Sequence, residues 1–261
     1  MRSIAISNQK GGVGKTTASV NLSACIAEQG YTVLAVDMDP QANLSMHLGL
    51  EVERDEPSVY TLLHGENSVE DTIFYTDVDN LFALPSNIDL AGMEVEMTEH
   101  GEGRERFLAR ALSECDDAFD YLIIDCPPSL GLLTLNSMCA VREVFIPLQT
   151  QFFALQGLGR LLETVELVQD ALNPELDVTG IIPTLFDMRT SLASEVLDDI
   201  REHFGDIVFE TAIRKNVRLA EAPGFGVPIT LYEENCHGTE DFRSLAQEVV
   251  EMEAQKGHAN N

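Results

Sequence analysis

The chain has no tryptophan and only four lysines, and its 16 basic residues stand against 44 acidic ones, for a net charge of -28 over 261 residues. Such a surface repels polyanions by default. The carboxylates are dispersed and form no block, which fits a salt-rich cytoplasm where a Debye length of roughly 3 Å at 1 M salt screens their repulsion. No run of about 18 apolar residues is present to span a bilayer. The five cysteines (Cys25, Cys115, Cys126, Cys139, Cys236) are an odd number without a Cys-x-x-Cys pair, against a disulfide framework or a cysteine metal site. The six histidines (His47, His64, His100, His203, His237, His258) show no metal-ligand spacing and read as structural or solvated. A glycine loop follows the N-terminal Met1-Arg2-Ser3 so closely that no signal peptide fits, and a cytoplasmic protein is expected. Without repeats or a Pro/Gly/Ser-rich linker, the economical division is one domain over 1–255 and a loose tail over 256–261.

What is present is an alternation of periods. Short β-branched runs at Ile4–Ser7, Thr32–Asp37, Leu81–Leu84, Tyr121–Asp125, Val144–Leu148, Thr179–Thr184 and Ile207–Thr211 read as buried parallel strands. Between them lie helical patterns, such as Phe107, Leu108, Ala111, Leu112 and Cys115, or Leu158, Leu161, Leu162, Val165 and Val168. A last helix of about Thr239–Glu253 would bury Phe242, Leu245, Ala246, Val249 and Val250 and turn Glu240, Asp241, Glu248 and Glu251 outward. Gln151-Phe152-Phe153-Ala154-Leu155 reads as core packing before a long helix. The fold class is α/β: a mostly parallel twisted sheet between two helical layers.

The first strand runs into Asn8-Gln9-Lys10-Gly11-Gly12-Val13-Gly14-Lys15-Thr16-Thr17 and then a helix, the context a phosphate-binding loop requires. Glycines let successive N–H groups curl around phosphate oxygens, the helix start adds partial positive charge, Lys15 bridges the outer phosphates and Thr16 can ligate Mg²⁺. The plain pattern G-x-x-x-x-G-K-S/T would place glycine where Gln9 stands, and a second lysine, Lys10, follows it. Two further strands end in acids, Asp37-Met38-Asp39-Pro40 and Asp125-Cys126-Pro127-Pro128. Strand C-termini converge on the ligand crevice of a parallel sheet, so Asp37, Asp39 and Asp125 should face the phosphates. Prolines beside them stiffen loops suited to sensing a γ-phosphate.

Lys10-Gly11-Gly12-Val13-Gly14-Lys15-Thr16 resembles the deviant Walker A motif of the ParA/MinD family of P-loop ATPases. The resemblance implies a P-loop NTPase fold, ATP and Mg²⁺ as ligands, and slow, partner-stimulated ATP hydrolysis. It implies nucleotide contacts from Lys10 through Thr17, with Lys10 reaching across an ATP-dependent homodimer to the partner's phosphates. Asp39 would orient the attacking water, and Thr16, Asp39 and Asp125 would make the Mg²⁺ environment, with Asp37 supporting.

Beyond residue 150, Phe186-Asp187-Met188-Arg189-Thr190 and Ile213-Arg214-Lys215-Asn216-Val217-Arg218-Leu219-Ala220-Glu221-Ala222-Pro223 resemble two stretches of the chromosomal, Soj-type branch. On that likeness Arg189, Arg214, Lys215 and Arg218 become contacts for nonspecific DNA, Asn216 an adenine contact, and a ParB-like adaptor the stimulating partner of a nucleoid-associated protein. The chain departs from the branch where Arg214 replaces proline and Lys215 replaces arginine, which keeps charge but loses the planar fork. The competing account of Arg189 and Arg218 is surface pairing with Asp187 and Glu221. Rival functions are a MinD-like positioning switch, which needs a basic amphipathic C-terminal helix, a carboxylate-activating metabolic enzyme, and an iron–sulfur carrier.

Overall fold

The computed structural model describes residues 1–115, 118–151 and 154–259. In chain order its regular elements are β1 (Arg2–Ile6), α1 (Lys15–Ala27), β2 (Val33–Asp37), α2 (Asn43–His47), α3 (Val59–His64), α4 (Val69–Thr72), β3 (Phe74–Tyr75), β4 (Leu81–Leu84), α5 (Leu90–Glu99), α6 (Phe107–Leu112) and β5 (Tyr121–Asp125). They continue with α7 (Leu132–Ala140), β6 (Glu143–Gln149), α8 (Ala154–Ala171), β7 (Asp177–Thr184), α9 (Ser191–Phe204), α10 (Val217–Glu221), α11 (Ile229–Tyr232) and α12 (His237–Ala259).

The seven strands form one sheet in the order β3-β4-β2-β5-β1-β6-β7. All pairings are parallel except the edge pair β3/β4. The runs of β1, β2 and β5 are buried at every position, because helices cover both faces and no strand side looks at water. One apolar core, with Leu34, Ile124, Leu133, Leu161 and Val196, lies under α3 and α5 to α9. The other, with Ile4, Leu22, Ile123, Phe242 and Leu245, lies under α1 and α12. Small side chains at Ala18, Ser19, Ser23 and Ala24 let α1 approach the sheet until it is buried almost all round. The core of the ladder is fixed by register: Ile6 pairs Asp125 and Asp37 pairs Asp125, so β1, β2 and β5 end level at one rim.

Six of the expected strands are present. Ile207–Thr211 is not one: a 3₁₀ turn spans Gly205–Ile207 and Val208 makes a single bridge to Ile181. The N–H groups of Glu210 and Thr211, which a ladder would need, donate instead to the Glu248 carboxylate at 2.9 and 2.8 Å. The two-residue edge strand β3 carries too short a pattern to register in sequence. The last helix buries the expected Phe242, Leu245, Ala246 and Val249, but two acids expected outward turn inward: Glu248 as above, and Asp241, only 6% exposed, onto Arg214. That helix also runs to Ala259, through most of the segment expected as a loose tail. Of the expected core stretch Gln151–Leu155, Phe152 and Phe153 lie outside the described residues, as do residues 260 and 261.

Candidate functional site

The loop between β1 and α1 is held by its neighbours' strand ends. Asn8 Nδ2 donates to the Pro147 carbonyl at 2.7 Å while its Oδ1 accepts the Lys10 N–H at 3.0 Å. Gln149 Nε2 donates to the Gly12 carbonyl at 2.8 Å, and Thr184 Oγ1 to the Val13 carbonyl at 2.8 Å. The Gly12 and Val13 carbonyls are thus held by strand-end side chains, and a glycine-rich loop so fixed can turn N–H groups to an anion. Gly12 and Gly14 sit at φ of 71° and 91°, where a side chain would be strained. Gly14 opens α1 with no side-chain cap and no acid in the first turn, so the helix start is free to receive an anion.

Lys15 begins α1, 8% exposed, with Nζ 3.5 Å from the Lys10 carbonyl. Burial lowers its pKa, while the nearby charges of Asp125 and Asp39 act the other way. Asp125 is fully buried at the end of β5 and accepts from Thr16 Oγ1 at 2.7 Å and Ser19 Oγ at 2.8 Å. Burial first, then the Asp37 charge, pushes its carboxyl up to about 7. Asp37, pushed up to about 6 by burial, accepts from the Ser45 N–H and hydroxyl at 2.9 and 2.7 Å and from the Asp39 N–H at 3.1 Å. It therefore closes the loop into α2. Asp39, 8% exposed, accepts the Gln41 N–H at 2.9 Å and lines the cleft.

That cleft holds about 600 Å³ and brings Gly11, Gly12, Gly14 through Thr17 and Asp39 together with Pro128, Leu185 and His47. Beside it a pocket of about 120 Å³, mostly apolar, lies between Gly14, Thr17, Ile213, Leu219 and Asn216. Ala42 and Leu185, on two loops bordering the cleft, hold φ of 54° and 52° without being glycine, a backbone strain typical of ligand clamps. Three participants escape sequence reasoning. Gln149 also accepts from Lys10 Nζ at 3.0 Å, so one side chain holds both the loop and its extra lysine. Thr184 is the second. His47 is the third: it is 1% exposed, held near pKa 4 by burial, and its Nε2 has no partner among the described residues. The convergence of strand C-termini was the signal for Gln149 and Thr184.

Of the basic residues of the second half, Arg214 lines the small pocket with Gly14 and Thr17, while Arg189, Lys215 and Arg218 line neither that pocket nor the cleft. Phe186 and Arg214 form a bridge that sets the two segments side by side. Arg189 is paired to Asp187 at 2.7 Å, Arg218 to Glu221 at 2.8 Å, and Arg214 to Asp241 at 2.5 Å and Glu240 at 3.2 Å. Lys215 is exposed. Asn216 spends its Oδ1 capping α10, accepting the Arg218 N–H at 2.8 Å, so only its Nδ2 remains to offer a ligand.

Residues 1–178 match a family model described as an AAA domain, AAA_31. The chain is 48% identical over 249 residues to the chromosome-partitioning ATPase Soj of Treponema pallidum, covering 95% of this chain and 97% of the relative. It is 49% identical over 247 residues to the sporulation initiation inhibitor protein Soj of Bacillus subtilis, with the same coverage, 95% and 97%. The chain belongs to the Soj/ParA family. A solved structure of cobyrinic acid a,c-diamide synthase from Mycobacterium smegmatis, with bound ADP and magnesium, superposes with a TM-score of 0.83 at 37% identity, covering 96% of this chain and 94% of that one.

The chemistry of this family member's cleft suits a polyphosphate with a hard cation. Uncapped N–H groups and Lys15 offer donors for the anion. Oxygen donors stand beside them: Thr16 and Asp39 line the cleft, and the fully buried Asp125 accepts the Thr16 hydroxyl. Among the described residues no cluster of three or more acids, histidines or cysteines could hold a metal alone. Mg²⁺ characteristically takes one or two protein oxygens and completes its shell with phosphate and water.

Proposed function

We propose that the chain is a partitioning ATPase: ATP with Mg²⁺ closes a homodimer, the dimer holds nonspecific DNA, and a ParB-like adaptor stimulates hydrolysis and release. The observation that carries this reading is that Lys15, Thr16 and Asp39 line one cleft, with the buried Asp125 bonded to Thr16, while the second lysine, Lys10, gives its amine to Gln149. A lysine so placed is spare for its own phosphate site and available to another subunit's.

In this reading the amides of Gly11 to Thr17 bind the phosphates, Lys15 spans the outer ones, and Asn216 Nδ2 meets the base in the small apolar pocket. Thr16 and Asp125 would hold Mg²⁺, which would supply charge neutralisation at the phosphates. Asp39, on a loop tied down by Asp37, orients the attacking water. Positioning without a strong base makes for slow intrinsic turnover that a partner raises. A single functional unit over 1–255 and a cytoplasmic, nucleoid-associated location belong to the same proposal. No helix among the described residues is long and apolar enough to cross a membrane, and the exposed face of α12 carries Glu240 and Glu251, against MinD-like anchoring.

Gel filtration and DNA retention with ATP, ADP and no nucleotide, at molar salt, test the proposal. A dimer that retains DNA with ATP alone supports it, and a monomer under all three conditions overturns it. The likeness to the diamide synthase favours one second reading, carboxylate activation. ATP turnover that responds to a polycarboxylic acid and ignores DNA would select it.

A further inference from the structure

The two basic segments form one surface: the Lys215 N–H donates to the Phe186 carbonyl at 3.0 Å beside the Phe186–Arg214 bridge. Exposed Met188, Leu192 and Val217 interleave with the charges. Two of its three arginines are held in pairs open to water. Asp187 takes Arg189 Nε and Nη2 at 2.8 and 2.7 Å, and Glu221 takes Arg218 Nη1 at 2.8 Å together with the Tyr232 hydroxyl at 3.1 Å. Lys215 makes no ion pair among the described residues, but its charge adds to the Arg189 hydrogen bonds that hold the Asp187 carboxyl below the usual range. The third arginine differs: the Arg214 side chain is 27% exposed and its partner Asp241 8%, against 83% for Arg189 and 51% for Arg218. Arg214 is a structural tie between the loop and α12, while the other two pairs can open at little cost.

We propose that Asp187 and Glu221 are resident competitors for Arg189 and Arg218, so that this surface takes up duplex DNA by exchanging carboxylate for phosphate instead of presenting free guanidinium groups. The inference rests on the DNA reading above and adds the device that regulates it. In a chain with 44 acidic residues, two carboxylates placed on two of the few arginines set how tightly any polyanion is held. They also change the response to salt. A free cation binding DNA releases counterions, and affinity falls steeply as salt rises. A guanidinium drawn from a pair leaves a bare carboxylate that gathers a cation, so fewer ions are released in net and affinity survives higher salt.

The test uses the full chain with ATP and Mg²⁺ and a fluorescent random-sequence duplex, read by anisotropy from about 0.1 to 1 M salt. Asp187→Asn and Glu221→Gln keep the oxygen acceptors that the Arg189 N–H and Tyr232 hydroxyl use. The double variant is expected to bind about tenfold tighter at low salt, with the slope of log K against log salt steeper by about 2. A charge-matched control, Glu175→Gln with Asp177→Asn, frees Arg142 at the opposite end of the sheet and should leave both quantities unchanged. Equal affinity and slope in wild type and the Asp187/Glu221 variant, with Arg189→Ala/Arg218→Ala still weakening binding, overturns the exchange while sparing the DNA reading. An equal gain in the control variant also overturns it. No retention of DNA by any form, with ATP hydrolysis intact, overturns the DNA reading itself.

Discussion

The phosphate cleft and the basic surface of the second half both depend on charged side chains, yet the protein treats them oppositely. In the cleft, charge is buried and pre-placed: Lys15 and Asp125 are 8% and 0% exposed, and the Gly12 and Val13 carbonyls are tied to the strand-end residues Gln149 and Thr184. On the surface, charge is exposed and self-satisfied: Arg189 and Arg218 lie on neighbouring carboxylates. Buried charge is strong because water cannot screen it, and it must be matched by fixed partners. Exposed charge is weak and exchangeable, and so suits a reversible, sequence-independent contact. Fixed, buried charge holds one bound geometry, whereas exposed pairs leave a surface free to exchange partners.

The contrast breaks first at Lys15. Lys15→Ala removes the buried cation, and steady-state phosphate release is expected to fall by at least about 100-fold. A variant with near-normal turnover would mean that the cleft is not where hydrolysis occurs.

Asp125 and Asp37 have folded pKa values of about 7 and about 6, above their unfolded values near 4. The folded protein therefore holds more protons than the unfolded chain between about pH 4 and 7, and the stability these groups contribute is present below that window and lost as pH rises through it. Melting of the nucleotide-free protein is expected at lower temperature at pH 8 than at pH 5.5. Asp125→Asn should shrink the difference, by about 2 kcal/mol in unfolding free energy.

Arginines on the two kinds of partner sharpen the contrast further. Arg214→Ala leaves Asp241 nearly buried and unpaired and is expected to cost about 2 kcal/mol in urea denaturation. Arg189→Ala, with its arginine 83% exposed, should change stability by less than about 0.5 kcal/mol. Between these, Gln149→Ala frees the Gly12 carbonyl and the Lys10 amine together, and should raise the KM for ATP by roughly tenfold, the worth of two ordinary hydrogen bonds.

Much of the cleft was readable because its parts are contiguous: the glycine loop between strand and helix, and the strands that close in Asp37, Asp39 and Asp125, declare themselves within a dozen residues each. Six of the strands were readable for the same reason, a period maintained by burial on both faces. What failed was non-local. Ile207–Thr211 has the composition of a strand, but the Glu248 carboxylate from α12 takes the N–H groups of Glu210 and Thr211. Asp241 and Glu248 sit on the polar arc of the last helix in sequence, and in space they meet Arg214 and the Thr211 loop. Gln149 reaches the phosphate loop from 137 residues away, and its place at a strand C-terminus marks it for the cleft without naming its partner.

By itself, the amino-acid order determined a parallel α/β sheet, a phosphate loop at its first turn and acids at two strand ends, since periodicity and backbone freedom act between near neighbours. Only the tertiary structure decided which charges are committed and which are exchangeable. Burial and partner geometry arise from segments far apart in the chain, and those two quantities separate Arg214 from Arg189 and make Gln149 part of the site.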